Sequence, residues 1–284
     1  MKQTRLIEAR GKPLGGGTLP AIITPLVGKT RAEVVDEVAA IVPKKPDLLE
    51  WRIDFFQAIG EIPEVIATAR AIRGAAGGIP LLLTRRNASE GGQPLDIGEP
   101  AVVAMYRAAC EAGCVELIDY ELSNAPQDIE ALRAVSKATG VGMIMSYHDF
   151  QATPDAATLD GKFALAAELG ADVGKVAVMP ASEHDVLELL AATSRAREAL
   201  DIPLISMSMG GVGSLSRVVG WVYGSAATFA VGKSSSAPGQ IAIEELRTAL
   251  SITRQAVLGP EDRRQRTEDS SVTGRFAPAN FSDP

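Results

Sequence analysis

The segment DVGKVAVMP, residues 172–180, reads as a buried strand that contains one lysine. Lys175 stands among glycine, alanine, valine and methionine. A short apolar run of this kind is typical of a strand that is covered on both faces. Burying an ammonium group costs free energy unless the group is paired or gives up its proton. Lys175 is therefore the first candidate for a functional residue.

The same short, aliphatic pattern occurs eight times along the chain. The predicted strands are 21–27, 48–53, 80–84, 115–122, 141–147, 173–178, 203–209 and 226–230. Helical patterns alternate with them, at 30–42, 62–74, 99–112, 126–139, 155–169, 183–199, 214–222 and 240–256. This order predicts an α/β fold, a single-domain (β/α)8 TIM barrel. An open, doubly wound parallel sheet is the alternative, although the first strand–helix turn lacks a dinucleotide-binding fingerprint.

The barrel is predicted to occupy residues 19–259. Segment 1–18 is polar and rich in glycine, so we expect it to be flexible. Segment 260–284 is charged and has no helical period, so we expect a disordered tail. The chain shows no signal-peptide core and no apolar run of membrane-spanning length, which predicts a cytoplasmic protein that does not bind a membrane.

Composition argues against several classes of protein. The net charge of −7 and the pI near 5.1 argue against nucleic acid as a partner. Cys110 and Cys114 lack the spacing of zinc or redox motifs, and we interpret both as small apolar side chains in the core. The chain has two histidines, His148 and His184, so a Cys/His metal site is not expected.

In a TIM barrel, catalytic residues lie at the C-terminal ends of the strands. Here those ends and the loops that follow them carry Glu50, Arg52, Arg86, Glu90, His148, Lys175, Met209, Arg217, Ser236 and Gln240.

The residue types at these ends indicate chemistry on a carbonyl compound. The neutral amine of a lysine attacks carbonyls, and the resulting iminium acidifies the adjacent C–H bond. A general base must then take that proton, and His148 lies at the end of the strand before that of Lys175. Arginines are suited to binding a carboxylate or phosphate, and a glutamate can orient the histidine.

Structural roles are also predicted for several charged residues. They include a salt bridge between Glu50 and Arg52 at the barrel mouth, internal ion pairs for Asp54, Asp119 and Glu121, bracing of a loop by Asp149, and a surface position for His184.

Taken together, the strand-end motifs resemble those of the type I 3-dehydroquinate dehydratases. The matching motifs are E-W-R-x-D (50–54), R-x-x-x-E-G-G (86–92), S-Y-H-D (146–149), K-V-A-V-M-P (175–180), M-S-M-x-x-x-G-x-x-S-R (207–217), G-S-A-A-T-F (224–229) and S-A-P-G-Q (236–240). Each motif is weak by itself, but the seven occur in order over residues 50–240, most of the predicted barrel.

The resemblance implies a (β/α)8 barrel that forms a homodimer and needs neither metal nor cofactor. It implies a carbon–oxygen lyase that converts 3-dehydroquinate to 3-dehydroshikimate, in biosynthesis of aromatic amino acids or in quinate breakdown. By the resemblance, Lys175 forms a Schiff base with the C3 ketone. His148 takes the C2 proton and then protonates the departing C1 hydroxyl, and Glu90 orients His148.

The resemblance also implies a substrate-binding set. Arg217 would bind the carboxylate, and Glu50, Arg52 and Arg86 would surround the substrate hydroxyls and the lysine. Met209 and Phe229 would form apolar walls, and Ser236 and Gln240 would lie on a closing loop. The chain departs from the family at the first strand, where Thr24-Pro25 replaces a small hydroxyl residue, so Thr24 is a weak candidate.

Two other functions share part of this pattern. A class I aldolase would use the same lysine, but would cleave a C–C bond, commonly in a phosphorylated sugar. A metabolite sensor or scaffold could retain the fold without catalysis, although such a domain would be free to lose Lys175 or His148. The site, and not the fold, separates these functions.

Overall fold

The computed structural model describes residues 5–9, 12–14, 19–234 and 236–259. Two short strands come first, β1 (Ile7–Ala9) and β2 (Lys12–Leu14). The central strands are β3 (Ala21–Leu26), β4 (Leu48–Arg52), β5 (Leu81–Thr84), β6 (Leu117–Glu121), β7 (Gly142–Asp149), β8 (Val173–Val178), β9 (Leu204–Ser208) and β10 (Ala227–Val231), and the two-residue β11 (Ile241–Ala242) follows.

A helix lies after each central strand. These helices are α1 (Arg31–Ile41), α2 (Ile62–Ala75), α3 (Glu99–Glu111), α4 (Pro126–Thr139), α5 (Ala156–Glu168), α6 (Glu183–Ala199), α7 (Gly210–Tyr223) and α8 (Ile243–Leu258). Their apolar faces pack on the outside of the sheet, where Trp51, Tyr106 and Phe163 are among the largest fully buried side chains. None of the helices described here combines the length and hydropathy that crossing a membrane requires.

The parallel sheet closes on itself. From β3 to β9 each strand pairs with the next one in the chain, and β10 pairs with β3. The remaining gap, between β9 and β10, is bridged by Leu204 and Ser225, and the Ala226 N–H donates to the Leu204 carbonyl at 2.7 Å. The fold is therefore the predicted (β/α)8 barrel and not an open doubly wound sheet.

Side chains inside the barrel change from apolar to polar toward the C-terminal ends of the strands. On β7 the inward series is Ile144, Ser146 and His148, and on β8 it is Val173 and Lys175. Ser146 and Lys175 are register partners and so lie at the same level of the barrel. Successive side chains of a strand point to opposite faces, so residues two apart share a face. Val173 and Lys175, two residues apart on β8, therefore both point into the barrel.

Within segment 1–18, which the sequence predicts to be flexible, the structure describes two short strands. β1 and β2 form an antiparallel hairpin, and Ile7, Ala9 and Leu14 join the apolar cluster inside the barrel at the N-terminal ends of the strands. Strands of three residues leave too little alternation to be recognised in sequence, and the glycines nearby favour a loop. The predicted tail, 260–284, lies outside the described residues.

Another difference concerns the start of α7, which begins at Gly210 and not at 214. The run GGVG predicts a loop because glycine has a low helix propensity. Here the helix passes close to the end of β9, and a Cβ on Gly213 would lie 2.4 Å from the Ser208 carbonyl carbon. Close packing against the strand therefore requires a glycine inside this helix.

The hairpin generates a test of stability. Ile7 is 2% exposed and its neighbour Leu6 is 46% exposed. We expect Ile7→Ala to lower the free energy of unfolding by about 2–4 kcal/mol, because it leaves a cavity beneath the barrel. Leu6→Ala, the matched control, is expected to change it by less than about 1 kcal/mol. Urea denaturation measures both, and equally small effects would show that the hairpin does not seal the barrel.

Candidate active site

A cavity opens at the C-terminal ends of the strands and holds about 430 Å³ of empty space, including the part open to solvent. All eleven residues predicted from the sequence line it: Glu50, Arg52, Arg86, Glu90, His148, Lys175, Met209, Arg217, Phe229, Ser236 and Gln240.

Lys175 lies at the floor of this cavity and is 4% exposed. Its Nζ is 2.9 Å from Asp119 Oδ2 and 3.9 Å from Glu50 Oε1. The Phe229 ring centroid lies 4.7 Å from Nζ, so the amine faces an aromatic wall on another side. The buried amine is thus paired with a carboxylate and still borders the open space of the cavity.

Asp119 connects Lys175 to a second cation. Its Oδ1 accepts from Arg86 Nη2 at 2.8 Å and from Ser146 Oγ at 2.6 Å. Burial alone would raise the pKa of Asp119, but the positive charges of Arg86 and Lys175 hold it below its ordinary value. Asp119 is therefore a carboxylate at neutral pH, and the predicted ion pairing within the barrel is confirmed for it.

The other predicted ion pairs are also present, with one change of partner. Glu121 accepts from Arg86 Nη1 at 2.8 Å, and Arg52 forms a bidentate pair with Asp54 at 2.8 Å for both bonds. A salt bridge between Arg52 and Glu50 was the predicted alternative and is wrong. Glu50 instead accepts from the Thr84 hydroxyl, at 3.0 Å.

His148 and Glu90 form a hydrogen-bonded pair that lines the cavity. Glu90 Oε2 lies 3.0 Å from His148 Nδ1 and accepts the His148 backbone N–H at 2.9 Å. Burial, with the nearby charges of Arg86 and Lys175, lowers the pKa of His148 well below its ordinary value. The imidazole is therefore neutral at pH 7, and an ionised Glu90 that accepts the proton on Nδ1 leaves a lone pair on Nε2.

The turn that presents Glu90 depends on the two glycines after it. A 3-10 turn over Ala88–Glu90 begins at Asn87, whose side chain accepts from the Ser89 N–H at 3.0 Å. Gly91 has a φ of +83°, and a Cβ on Gly92 would lie 1.9 Å from the Arg86 carbonyl oxygen. The E-G-G motif is thus explained by close backbone packing that aims Glu90 at the histidine.

Arg217 differs from the other two arginines of the site because no carboxylate in the described part of the chain pairs with it. Its Nη2 donates to the Pro238 carbonyl at 3.1 Å, and Nη1 lies 3.6 Å from Met207 Sδ. Its Nε has no hydrogen-bond partner among the described residues, and burial lowers the pKa of Arg217 to about 10. A guanidinium that is buried and lacks a counter-charge is a strong candidate to bind an anion.

The loop after β10 covers one side of the cavity. The Ser236 carbonyl accepts from Arg52 Nη1 at 3.4 Å, and Gln240 Nε2 donates to the Ser236 hydroxyl at 3.2 Å. Pro238 of the same loop contacts Arg217. Two cationic residues of the site therefore hold the loop through its backbone carbonyls.

The sequence interpretation assigned no role in the site to five further lining residues, namely Gly91, Phe150, Ala177, Met207 and Ala237. Phe150 lies against Gly91, and its aromatic character two residues after His148 was the available signal. Thr24 does not belong to the site. Its side chain packs beside Gly232 and Ile41 of α1, in the helix layer outside the barrel.

The remaining candidates have structural positions. Asp149 accepts from the backbone N–H groups of Gln151 and Ala152 at 2.8 and 3.0 Å, which confirms that it braces its loop. Cys110 and Cys114 are buried, and burial raises the pKa of the Cys110 thiol to about 12. His184 is exposed at the start of α6. Across the described ranges, no cluster of three or more metal-ligating side chains is placed to hold an ion.

The Glu90 turn generates a test. We expect Gly92→Ala to lower the free energy of unfolding by about 1–3 kcal/mol, because the new methyl group would overlap the Arg86 carbonyl. In a crystal structure of the variant, Glu90 should have moved away from His148 Nδ1. Gly161→Ala, in the middle of α5 with no atom near the added Cβ, is the matched control and should be neutral or stabilising. An unshifted Glu90 in Gly92→Ala would contradict the role given to this glycine.

Comparison with known proteins is consistent across sequence and structure. A family model described as type I 3-dehydroquinase matches residues 22–256. The 3-dehydroquinate dehydratase of Albidiferax ferrireducens is 52% identical over 257 residues, which are 90% of this chain and 97% of that protein.

Solved structures show the same relationship. The 3-dehydroquinate dehydratase of Geobacillus kaustophilus superposes with a TM-score of 0.87 at 46% identity, covering 89% of this chain and 98% of that one. The type I enzyme of Clostridium difficile superposes with a TM-score of 0.85 at 36% identity, covering 89% and 99% of the two chains. With the family model over most of its length and relatives of this identity, the chain belongs to the type I 3-dehydroquinase family.

Proposed function

We propose that the chain catalyses the dehydration of 3-dehydroquinate to 3-dehydroshikimate through a Schiff base on Lys175. The observation that carries the proposal is one cavity in which a buried lysine, a neutral histidine and an arginine that no described carboxylate pairs with face the same space. The activity is that of the family, a hydro-lyase, and its relatives are 3-dehydroquinate dehydratases.

The first step joins the substrate to the protein. Lys175 passes a proton from its ammonium group to His148, and the neutral Nζ then adds to the C3 carbonyl carbon. The imidazolium returns that proton to the hydroxyl of the adduct, which leaves as one water and gives a cationic iminium. Asp119, 2.9 Å from Nζ, supplies the negative charge opposite the iminium nitrogen.

The second step removes the substrate's own water. Nε2 of His148 takes a proton from C2, and the C–H electrons move into the iminium to form an enamine. The C1–O bond then breaks as the imidazolium returns its proton to the departing hydroxyl, so that one water leaves. Hydrolysis of the conjugated iminium consumes one water, frees Lys175 and releases the enone product.

Substrate binding is assigned to the rest of the cavity. Arg217 binds the carboxylate, which gives the buried guanidinium the counter-charge that the described chain does not supply. The substrate hydroxyls are held by Glu50, Arg52 and Arg86, between the apolar walls of Met209 and Phe229, beneath the loop that carries Ser236 and Gln240.

Other features of the proposal rest on the family alone. The Clostridium difficile relative has been solved with covalently modified comenic acid, which supports covalent chemistry in this family. A homodimer and a cytoplasmic location remain predictions from the resemblance.

Trapping of the iminium tests the covalent mechanism. We expect incubation with 3-dehydroquinate and borohydride to abolish activity and to leave a stable adduct on the peptide that carries Lys175, because borohydride reduces an iminium to an amine. Intact mass and peptide mapping detect the adduct. His148→Ala should still give the adduct while losing at least about a hundredfold in kcat.

Lys175→Met is the control for that experiment and should give no adduct. Dehydration by the native protein without an adduct would keep the reaction and exclude the Schiff base. An adduct on another lysine would reassign the nucleophile.

Arg217 generates a test of substrate binding. We expect Arg217→Met to raise KM by about 30-fold to 100-fold with a smaller change in kcat, because a carboxylate contact is lost in both the ground state and the transition state. Arg195→Met, on the exposed face of α6, is the matched control and should match the native protein. Steady-state kinetics that give an unchanged KM for Arg217→Met would assign the carboxylate to another group.

A further inference from the structure

The Glu90 carboxylate has a partner on each of its oxygens. Oε2 accepts the backbone N–H of His148 and lies within hydrogen-bond distance of its ring Nδ1. Oε1 accepts from the Ser123 hydroxyl at 2.5 Å. We propose that Ser123 is a positioning residue that acts through Glu90 to keep His148 ready to accept a proton. The inference rests on the roles proposed above for Glu90 and His148.

The fold places Ser123 beside Glu90 without help from Glu90 itself. Ser123 follows β6 by two residues, at the end of the barrel where the site lies. The Leu122 N–H donates to the Ser146 carbonyl at 2.8 Å, and Asn124 Nδ2 donates to Glu121 Oε2 at 3.0 Å. Both neighbours of Ser123 are therefore fixed to β6 and β7, so its hydroxyl is a preset donor.

Electrostatics give this hydroxyl a function. Burial raises the pKa of Glu90. The hydrogen bond from Ser123 lowers that pKa, and the positive charge of Arg86 lowers it by a smaller amount. Glu121 raises the pKa of Glu90 further. The charged and titratable groups that face Glu90 are Arg86 at the end of β5, Glu121 on β6, and Tyr147 and His148 on β7.

The direction of the effect on catalysis follows from which protonation state is active. His148 can act as a base when it is neutral and when Glu90 is ionised and accepts the Nδ1 proton. A hydrogen bond to the ionised form of Glu90 keeps Glu90 ionised down to a lower pH. Without the hydroxyl, Glu90 is protonated at higher pH, so the acid limb of kcat/KM should move to higher pH. The limb belongs to the coupled Glu90–His148 pair and not to either residue alone.

The experiment compares three variants of the full chain by their profiles of kcat/KM against pH, from about pH 5 to about pH 9. For Ser123→Ala we expect the acid limb to move to higher pH, with a loss of about threefold to tenfold near pH 5.5 and a smaller loss near pH 8. Ser123→Thr retains a hydroxyl and should restore the native limb. Ser89→Ala, whose hydroxyl bonds to Asn87 and not to Glu90, is the matched control and should follow the native profile.

Glu90→Gln separates failure of this inference from failure of the proposed mechanism. If Glu90→Gln lowers kcat and removes the native acid limb but Ser123→Ala leaves the limb in place, the role of Ser123 is overturned and that of Glu90 stands. A Ser123→Ala protein that unfolds at a lower temperature with an unmoved limb overturns the role of Ser123 in the same way. If Glu90→Gln leaves the profile unchanged, both the role of Glu90 and that of Ser123 are overturned.

Discussion

One buried carboxylate, that of Asp119, holds the centre of the site together. Lys175 and Arg86 are both buried, and their positive charges would repel each other in a medium that screens poorly. Asp119 accepts from both, and Ser146 supplies its third hydrogen bond. Removing one partner from a buried ion pair leaves an uncompensated charge, so each of the three ions depends on the others.

This network divides the charged residues of the cavity into two kinds. Arg52 and Arg86 are neutralised within the protein, by Asp54 and by Asp119 with Glu121. They are therefore held in place before a ligand arrives, which is the arrangement that electrostatic preorganisation requires. Arg217 has no carboxylate partner in the part of the chain seen here, so an anionic ligand can neutralise its guanidinium.

The regular alternation of apolar strand patterns with helical patterns was sufficient to predict the barrel and the residues at its mouth. Strand-end position alone brought Glu50, His148 and Lys175 to one cavity, because the C-terminal ends of parallel strands meet at one edge. The partner of Arg52 could not be predicted, since Glu50 and Asp54 are equally near it in sequence. The bond between Asp119 and Lys175 depends on the register of strands 56 residues apart.

Other features escaped prediction because their sequence signals are common. The hydroxyl of Ser123 resembles that of any serine in a turn, and only the folded loop shows that it meets Glu90. The three-residue strands of the hairpin are too short for a period to be visible. The helix that begins at Gly210 contradicts local propensity, and its glycines are explained by packing against β9 that local sequence does not reveal.

The hairpin of β1 and β2 bears on where substrate, product and water enter and leave the barrel. Ile7 and Leu14 complete an apolar layer across the N-terminal end, below the polar level that holds Lys175. Closely packed apolar side chains leave little room for water. In the proposed mechanism, substrate and product therefore use the cavity at the opposite end of the barrel. The water expelled when the imine forms and the water that later hydrolyses it would cross that same cavity, which Ser236 and Gln240 line.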